Sequence, residues 1–219
     1  MIMTANVITL SRVALVFVAV ALFGAGFYGQ LFAFLLTIII IYMDALDGYV
    51  ARKLNIASDL GALLDITGDR IVENVYWIYF TAIGMISFWV PIVVIARGFL
   101  TDSLRSIAFA DGKTAFGERT MMRSRVTRLL VSSRFSRALY GVSKAVIFCY
   151  LGGVVALRGA MREFSVAFSP HVLFSLDVIG QIVVYVVLAM CVMRGIPVLW
   201  DGRLYLLEKR YPKFVRKEV

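Results

Sequence analysis

Six stretches of this sequence, residues 7–27, 31–52, 60–86, 89–110, 139–157 and 172–200, are long and apolar enough to be read as crossing hydrocarbon. A helix needs roughly 20 residues to span about 30 Å. The runs 35–41 and 182–192 are continuous rather than alternating, which excludes the ten-residue alternation of a membrane β-barrel. With 61% of 219 residues hydrophobic and 17% charged, and a mean hydropathy of +0.86, an ordinary soluble domain is excluded too. The expected fold is all-α: a polytopic membrane protein of six transmembrane helices, one domain over residues 1–219 with a helical core at 1–200 and a basic tail at 201–219. The first apolar stretch is longer than the apolar region of a secretory signal, has Arg12 near its start and lacks a small-residue cleavage site. It is expected to remain as a helix.

Charge sets the orientation. Arg52 and Lys53 follow the second stretch, Lys113 to Arg137 join the fourth to the fifth, and Lys209, Arg210, Lys213, Arg216 and Lys217 close the chain. The connections at 24–30 and 86–88 carry no charge. By the positive-inside rule both termini face the cytoplasm. The net charge of +9 is then a topology signal and an attraction to anionic lipid heads, not a nucleic-acid surface. The tail after Arg203, basic with interspersed leucine and aromatic residues, is expected to lie on the cytoplasmic leaflet. Cys149 and Cys191 fall inside spans and read as small buried apolar side chains; His171 falls in an outward loop.

Against this background the acids at the end of the second stretch and in the third are out of place. Asp44 and Asp47 are three residues apart, and Asp65 and Asp69 four apart. Each pair therefore shares a helix face, stacked about 4.5 Å and 6 Å along its axis. Two antiparallel neighbours would point four carboxylates at one another. Without neutralisation such a group repels itself and takes up protons. Oxygen-only ligands suit Mg²⁺ or Mn²⁺, and two ions can share bridging carboxylates. Asp59 reads differently, as a helix-start residue. Gly48, Ala51 and Gly61 leave room for close approach, and Arg52, one turn beyond Gly48, is placed to pair with phosphate oxygens. Together these types point to a metal-bound nucleotide diphosphate.

Asp44, Asp47, Gly48, Ala51, Arg52, Gly61, Asp65 and Asp69 fit D-x2-D-G-x2-A-R-x8-G-x3-D-x3-D without a gap. This pattern resembles the signature of the CDP-alcohol phosphotransferases. The resemblance implies a six-helix, usually homodimeric membrane enzyme that moves a substituted phosphoryl group from a CDP-linked donor to an alcohol and releases CMP. It implies that Asp44, Asp47, Asp65 and Asp69 hold Mg²⁺ or Mn²⁺, two ions in all, and that Asp69 is also the general base. It further implies that Asp47, Gly48, Ala51, Arg52 and Gly61 receive the CDP moiety.

Two further patterns bear on the acceptor. Arg97, Arg105, Gly112 and Lys113 give R-x7-R-x6-G-K, and Gly141 with Lys144 gives G-x2-K. With Asn6, Thr9 and Arg12 as contacts for donor lipid or nucleotide, the chain is similar to bacterial phosphatidylglycerophosphate synthases. That similarity implies CDP-diacylglycerol as donor, glycerol 3-phosphate as acceptor bound by Arg97, Arg105 and Lys144, and a site facing the cytoplasm of a bacterial cytoplasmic membrane. Snorkelling toward lipid heads is the other use of such cations. Gly98 stands where that branch has an acid, Lys144 stands where it has a lysine pair, and Arg70 follows Asp69 where it has lysine. Inositol 1-phosphate and phosphatidylglycerol therefore stay open as acceptors. An ion transporter built on intramembrane acids is the competing class, opposed by the clustering of the acids at one membrane edge.

Overall fold

The computed structural model describes residues 2–54, 59–110 and 133–210. Side chains at 2–6, 45–54, 59, 60, 62, 108–110, 134 and 204–210 fall outside that description. Among the described residues there are six helices and no strand: α1 Ile2–Phe23, α2 Phe27–Leu54, α3 Asp59–Ala82, α4 Trp89–Ala110, α5 Arg134–Glu163 and α6 Pro170–Arg210. The all-α expectation holds.

Three helices contain segments long and apolar enough to cross a membrane, Phe27–Asp44 in α2, Phe135–Glu163 in α5 and Pro170–Arg203 in α6. Six such segments were expected. Val7–Phe23 of α1 is apolar but shorter, while α3 and α4 carry Asp65, Asp69, Arg70 and Glu73 and Arg97, Asp102 and Arg105 within their lengths. These charges lower their hydropathy. A second difference concerns the tail. The apolar stretch ends at 200, while the helix that carries it, α6, runs unbroken through Pro197 to Arg210, and Asp201 near its end is buried. Residues 211–219 of that tail and 111–132 of the basic connection lie outside the described residues.

The described chain groups into two compact units, residues 1–91 with 144–184, and residues 92–143 with 185–219. In the first unit an aromatic cluster joins α3 to α5. The Phe148 ring centroid lies 4.9 Å from that of Trp77 and 5.1 Å from that of Tyr76. Tyr76 donates its hydroxyl hydrogen to Thr37 Oγ1 of α2 at 3.0 Å, so the polar end of this buried ring is satisfied. Small residues admit neighbours elsewhere: Gly152 lies against Phe23 and Phe34. At the end of α3, Gly84 adopts φ +77°. Its N–H reaches Thr81 O at 2.9 Å and the Met85 N–H reaches Phe80 O at 2.9 Å, a Schellman closure in which glycine takes the left-handed position at no steric cost.

Pairings give helix directions within this unit. Arg12 meets Asp69 and Phe23 meets Phe80, so α1 and α3 run parallel; Thr37 meets Tyr76 while Asp44 shares Arg12 with Asp69, so α2 runs against them. Phe17, Phe32, Ile39, Ile78, Val146 and Ile182 each leave about half their surface exposed. Such an apolar exterior is stable in lipid and a liability in water.

Candidate active site

Arg12 organises the described part of the acidic constellation. Thr9 and Arg12, three residues apart on α1, face α3 at Gly68, where a Cβ would come within 2.6 Å of Thr9 Cγ2. The missing side chain lets α1 lie close against α3. Arg12, 2% exposed, reaches across this contact and donates through Nη1 to Asp44 Oδ1 and through Nη2 to Asp69 Oδ1. Its Nη2 is 3.9 Å from Asp65 Oδ1. One carboxylate oxygen from each of Asp44, Asp65 and Asp69 lies within 4.8 Å of the others. The three acid side chains are 52, 47 and 47% exposed, so the group is open on one side.

This arrangement fits a divalent cation. Three oxygen donors converge at ligand-sharing distance, a donor set suited to Mg²⁺ or Mn²⁺. Asp47, Gly48, Ala51 and Arg52 lie on α2 and Asn6 on α1, with side chains outside the described residues. Gly61 lies in the first turn of α3.

One turn beyond Asp69, on the same face of α3, lies Glu73. It is 4% exposed and accepts from Lys144 Nζ of α5 at 2.7 Å and from Arg70 Nη1 at 3.3 Å. Glu73 was not among the candidate site residues; its i+4 spacing from Asp69 places it on their face.

The second unit holds Arg97 and Arg105. Arg97 is 8% exposed, and its stem lies over Gly195 of α6, where a Cβ would come within 2.7 Å of Arg97 Cγ. Among the described residues its Nε is buried without a hydrogen-bond partner. Arg194, 7% exposed, donates to Ser136 Oγ and lies with its guanidinium carbon 5.7 Å from the Tyr140 ring centroid. Arg97 and Arg137 both act electrostatically on Arg194. Arg97 of α4 and Arg137 of α5 thus place like charge near the buried Arg194 of α6, a setting that favours an anion. Arg105 pairs instead with Asp102 of its own helix at 3.4 Å. Sequence reasoning found Arg97 and missed Arg194, although Arg194 is the lone basic residue in the stretch 172–200, and a cation in an apolar span is a functional candidate by default.

Residues 2–193 match the sequence profile of the CDP-alcohol phosphatidyltransferases. The chain belongs to this family. A CDP-diacylglycerol–glycerol-3-phosphate 3-phosphatidyltransferase of Bacillus subtilis (strain 168) is 30% identical over 121 residues, covering 49% of this chain and 63% of that protein. A protein of the same description from Mycoplasma pneumoniae (strain ATCC 29342 / M129 / Subtype 1) is 38% identical over 65 residues, covering 30% and 29%. The matched part is therefore less than two thirds of either relative's length. The acids gathered around Arg12 are compatible with the divalent metals that this family generally uses.

A test of that electrostatic role is thermal. Arg12→Met in detergent is expected to melt about 5 °C lower than the unaltered protein in EDTA, because three acids lose their counter-charge. The deficit should shrink as Mn²⁺ is raised, by mass action on the folded state. Equal deficits in EDTA and Mn²⁺ would mean that Arg12 only fills space.

Proposed function

We propose that the protein is a phospholipid-synthesising enzyme that transfers the phosphatidyl group of CDP-diacylglycerol to glycerol 3-phosphate, giving phosphatidylglycerophosphate and CMP. The observation that carries it is the convergence of Asp44, Asp65 and Asp69, three of the eight patterned positions, within 4.8 Å. Family membership supports the reaction class. The buried Arg97 and Arg194, with Arg137, support a phosphorylated acceptor.

In this mechanism Asp69 takes the proton of the acceptor hydroxyl while its oxygen attacks the phosphatidyl phosphorus. The bond from that phosphorus to the CMP oxygen breaks, and CMP leaves without a covalent enzyme intermediate. Asp44, Asp47, Asp65 and Asp69 would hold one or two Mg²⁺ or Mn²⁺ ions, which supply charge for the diphosphate and the departing CMP. Gly48, Ala51 and Gly61 leave room for cytidine and Arg52 meets its phosphates. Asn6 and Thr9 stand on the donor side, with Arg12 countering the acids. Arg97, Arg105 and Lys144 are the cations proposed for the acceptor phosphate.

The protein acts in this proposal as a homodimer of six-span chains in the cytoplasmic membrane of a bacterium, both termini and the site on the cytoplasmic side. Alternating helix directions in the first unit favour that topology. The same chemistry with inositol 1-phosphate or phosphatidylglycerol is the rival reading, favoured by Arg70 and Glu73 following Asp69. The test is product identification by mass spectrometry from CDP-diacylglycerol offered with glycerol 3-phosphate, inositol 1-phosphate, inositol, serine and phosphatidylglycerol. Phosphatidylglycerophosphate as main product is expected; another phosphatidyl alcohol would reassign the acceptor and leave the acid site in place.

A further inference from the structure

We propose that Glu73 is a positioning residue of the acceptor site: it fixes the Lys144 ammonium of α5 beside the reacting face of α3, one turn from Asp69. The inference rests on the reading of Lys144 as an acceptor-phosphate cation. Glu73 follows Asp65 and Asp69 at helical spacing, so the three acids share one face, Glu73 lying about 6 Å along the axis from Asp69. Unlike Asp65 and Asp69, whose side chains are about half exposed, it is buried, and its carboxylate faces Lys144 Nζ at 2.7 Å and Arg70 Nη1 at 3.3 Å.

Adhesion between α3 and α5 does not account for this carboxylate. One turn along both helices, Tyr76 and Trp77 already pack on Phe148, and a buried ion pair stabilises no better than a well-packed apolar pair of similar size. What an ion pair adds is a fixed place for a charge. Lys144 is a flexible four-carbon stem carrying a point charge, and its short contact with Glu73 sets where along α3 that charge lies. An acceptor phosphate bridged to Lys144 then holds its hydroxyl at a set distance from Asp69. Substrate orientation of this kind is a large part of transfer catalysis.

The test uses the full-length protein in detergent with CDP and Mn²⁺, titrated with glycerol 3-phosphate by calorimetry and assayed for acceptor KM. Glu73→Gln is expected to weaken glycerol 3-phosphate binding and raise its KM about tenfold, with CDP affinity unchanged. Glu73→Asp, keeping the charge on a shorter stem, should recover part of the loss. Adding Glu73→Gln to Lys144→Gln should cost little more than Lys144→Gln alone, since the two act as a unit. If Glu73→Gln lowers the melting temperature and CDP affinity together while acceptor KM stays put, the residue is only structural. Additive losses in the double variant would also overturn the proposal. Should the unaltered protein fail to bind glycerol 3-phosphate while binding CDP, the acceptor reading fails first and this inference falls with it. If Glu73→Gln does not fold, Glu73→Asp alone decides: a KM equal to that of the unaltered protein refutes the positioning role, and a raised KM with unchanged CDP affinity supports it.

Discussion

Replacing Asp69 with Asn is expected to reduce CMP release by about 10³-fold or more at saturating substrates, because general-base catalysis by itself contributes about 10²–10⁴. The substitution keeps the size of the side chain and removes its charge and basicity. Asp69 also shares the Arg12 guanidinium with Asp44, so the variant keeps one half of that bridge and should fold. Binding of CDP-diacylglycerol should stay measurable, since Asp44, Asp47 and Asp65 are untouched. Assays of CMP release and of CDP-lipid binding on the same preparation separate the two roles. Turnover within about tenfold of the unaltered protein would remove Asp69 as the base.

Replacing Arg97 with Ala is expected to raise the acceptor KM about 10–100-fold with kcat less affected, the loss of a charge-assisted contact to phosphate. Arg97→Lys should recover part of this, since it keeps the charge without the planar fork. Arg97 lies over Gly195 and is buried, so its stem is held by the approach of α6 and the head has little freedom to snorkel. Arg194→Ala should act in the same direction. Lost donor affinity with an unchanged acceptor KM would place the phosphate pocket elsewhere.

The eight patterned positions were legible because helical spacing is local: Asp65 and Asp69 share a face wherever α3 packs. Arg12 shows where that legibility stops. Its spacing from Thr9 marks a face of α1, but that this face meets Gly68 and brings a guanidinium between Asp44 and Asp69 depends on contacts between residues 32 and 57 positions apart, which no local pattern encodes. The six helices were read correctly as helices, yet the end of the last was not. The apolar stretch ends at 200, whereas α6 continues through Pro197 to Arg210, with Asp201 and Gly202 buried. Gly202 lies against Leu104 of α4, a tertiary contact that no local pattern encodes. Arg194 was hidden for a related reason: a single cation in an apolar run does not show locally that Arg97 and Arg137 act on it.

The most direct measurement is CMP release by the purified protein from CDP-diacylglycerol and glycerol 3-phosphate, with Mn²⁺ or Mg²⁺ and again with EDTA, with and without acceptor. The account predicts CMP only when metal and acceptor are both present, matched one for one by phosphatidylglycerophosphate. Equal release in EDTA, or CMP formed at the full rate with no acceptor, would contradict it.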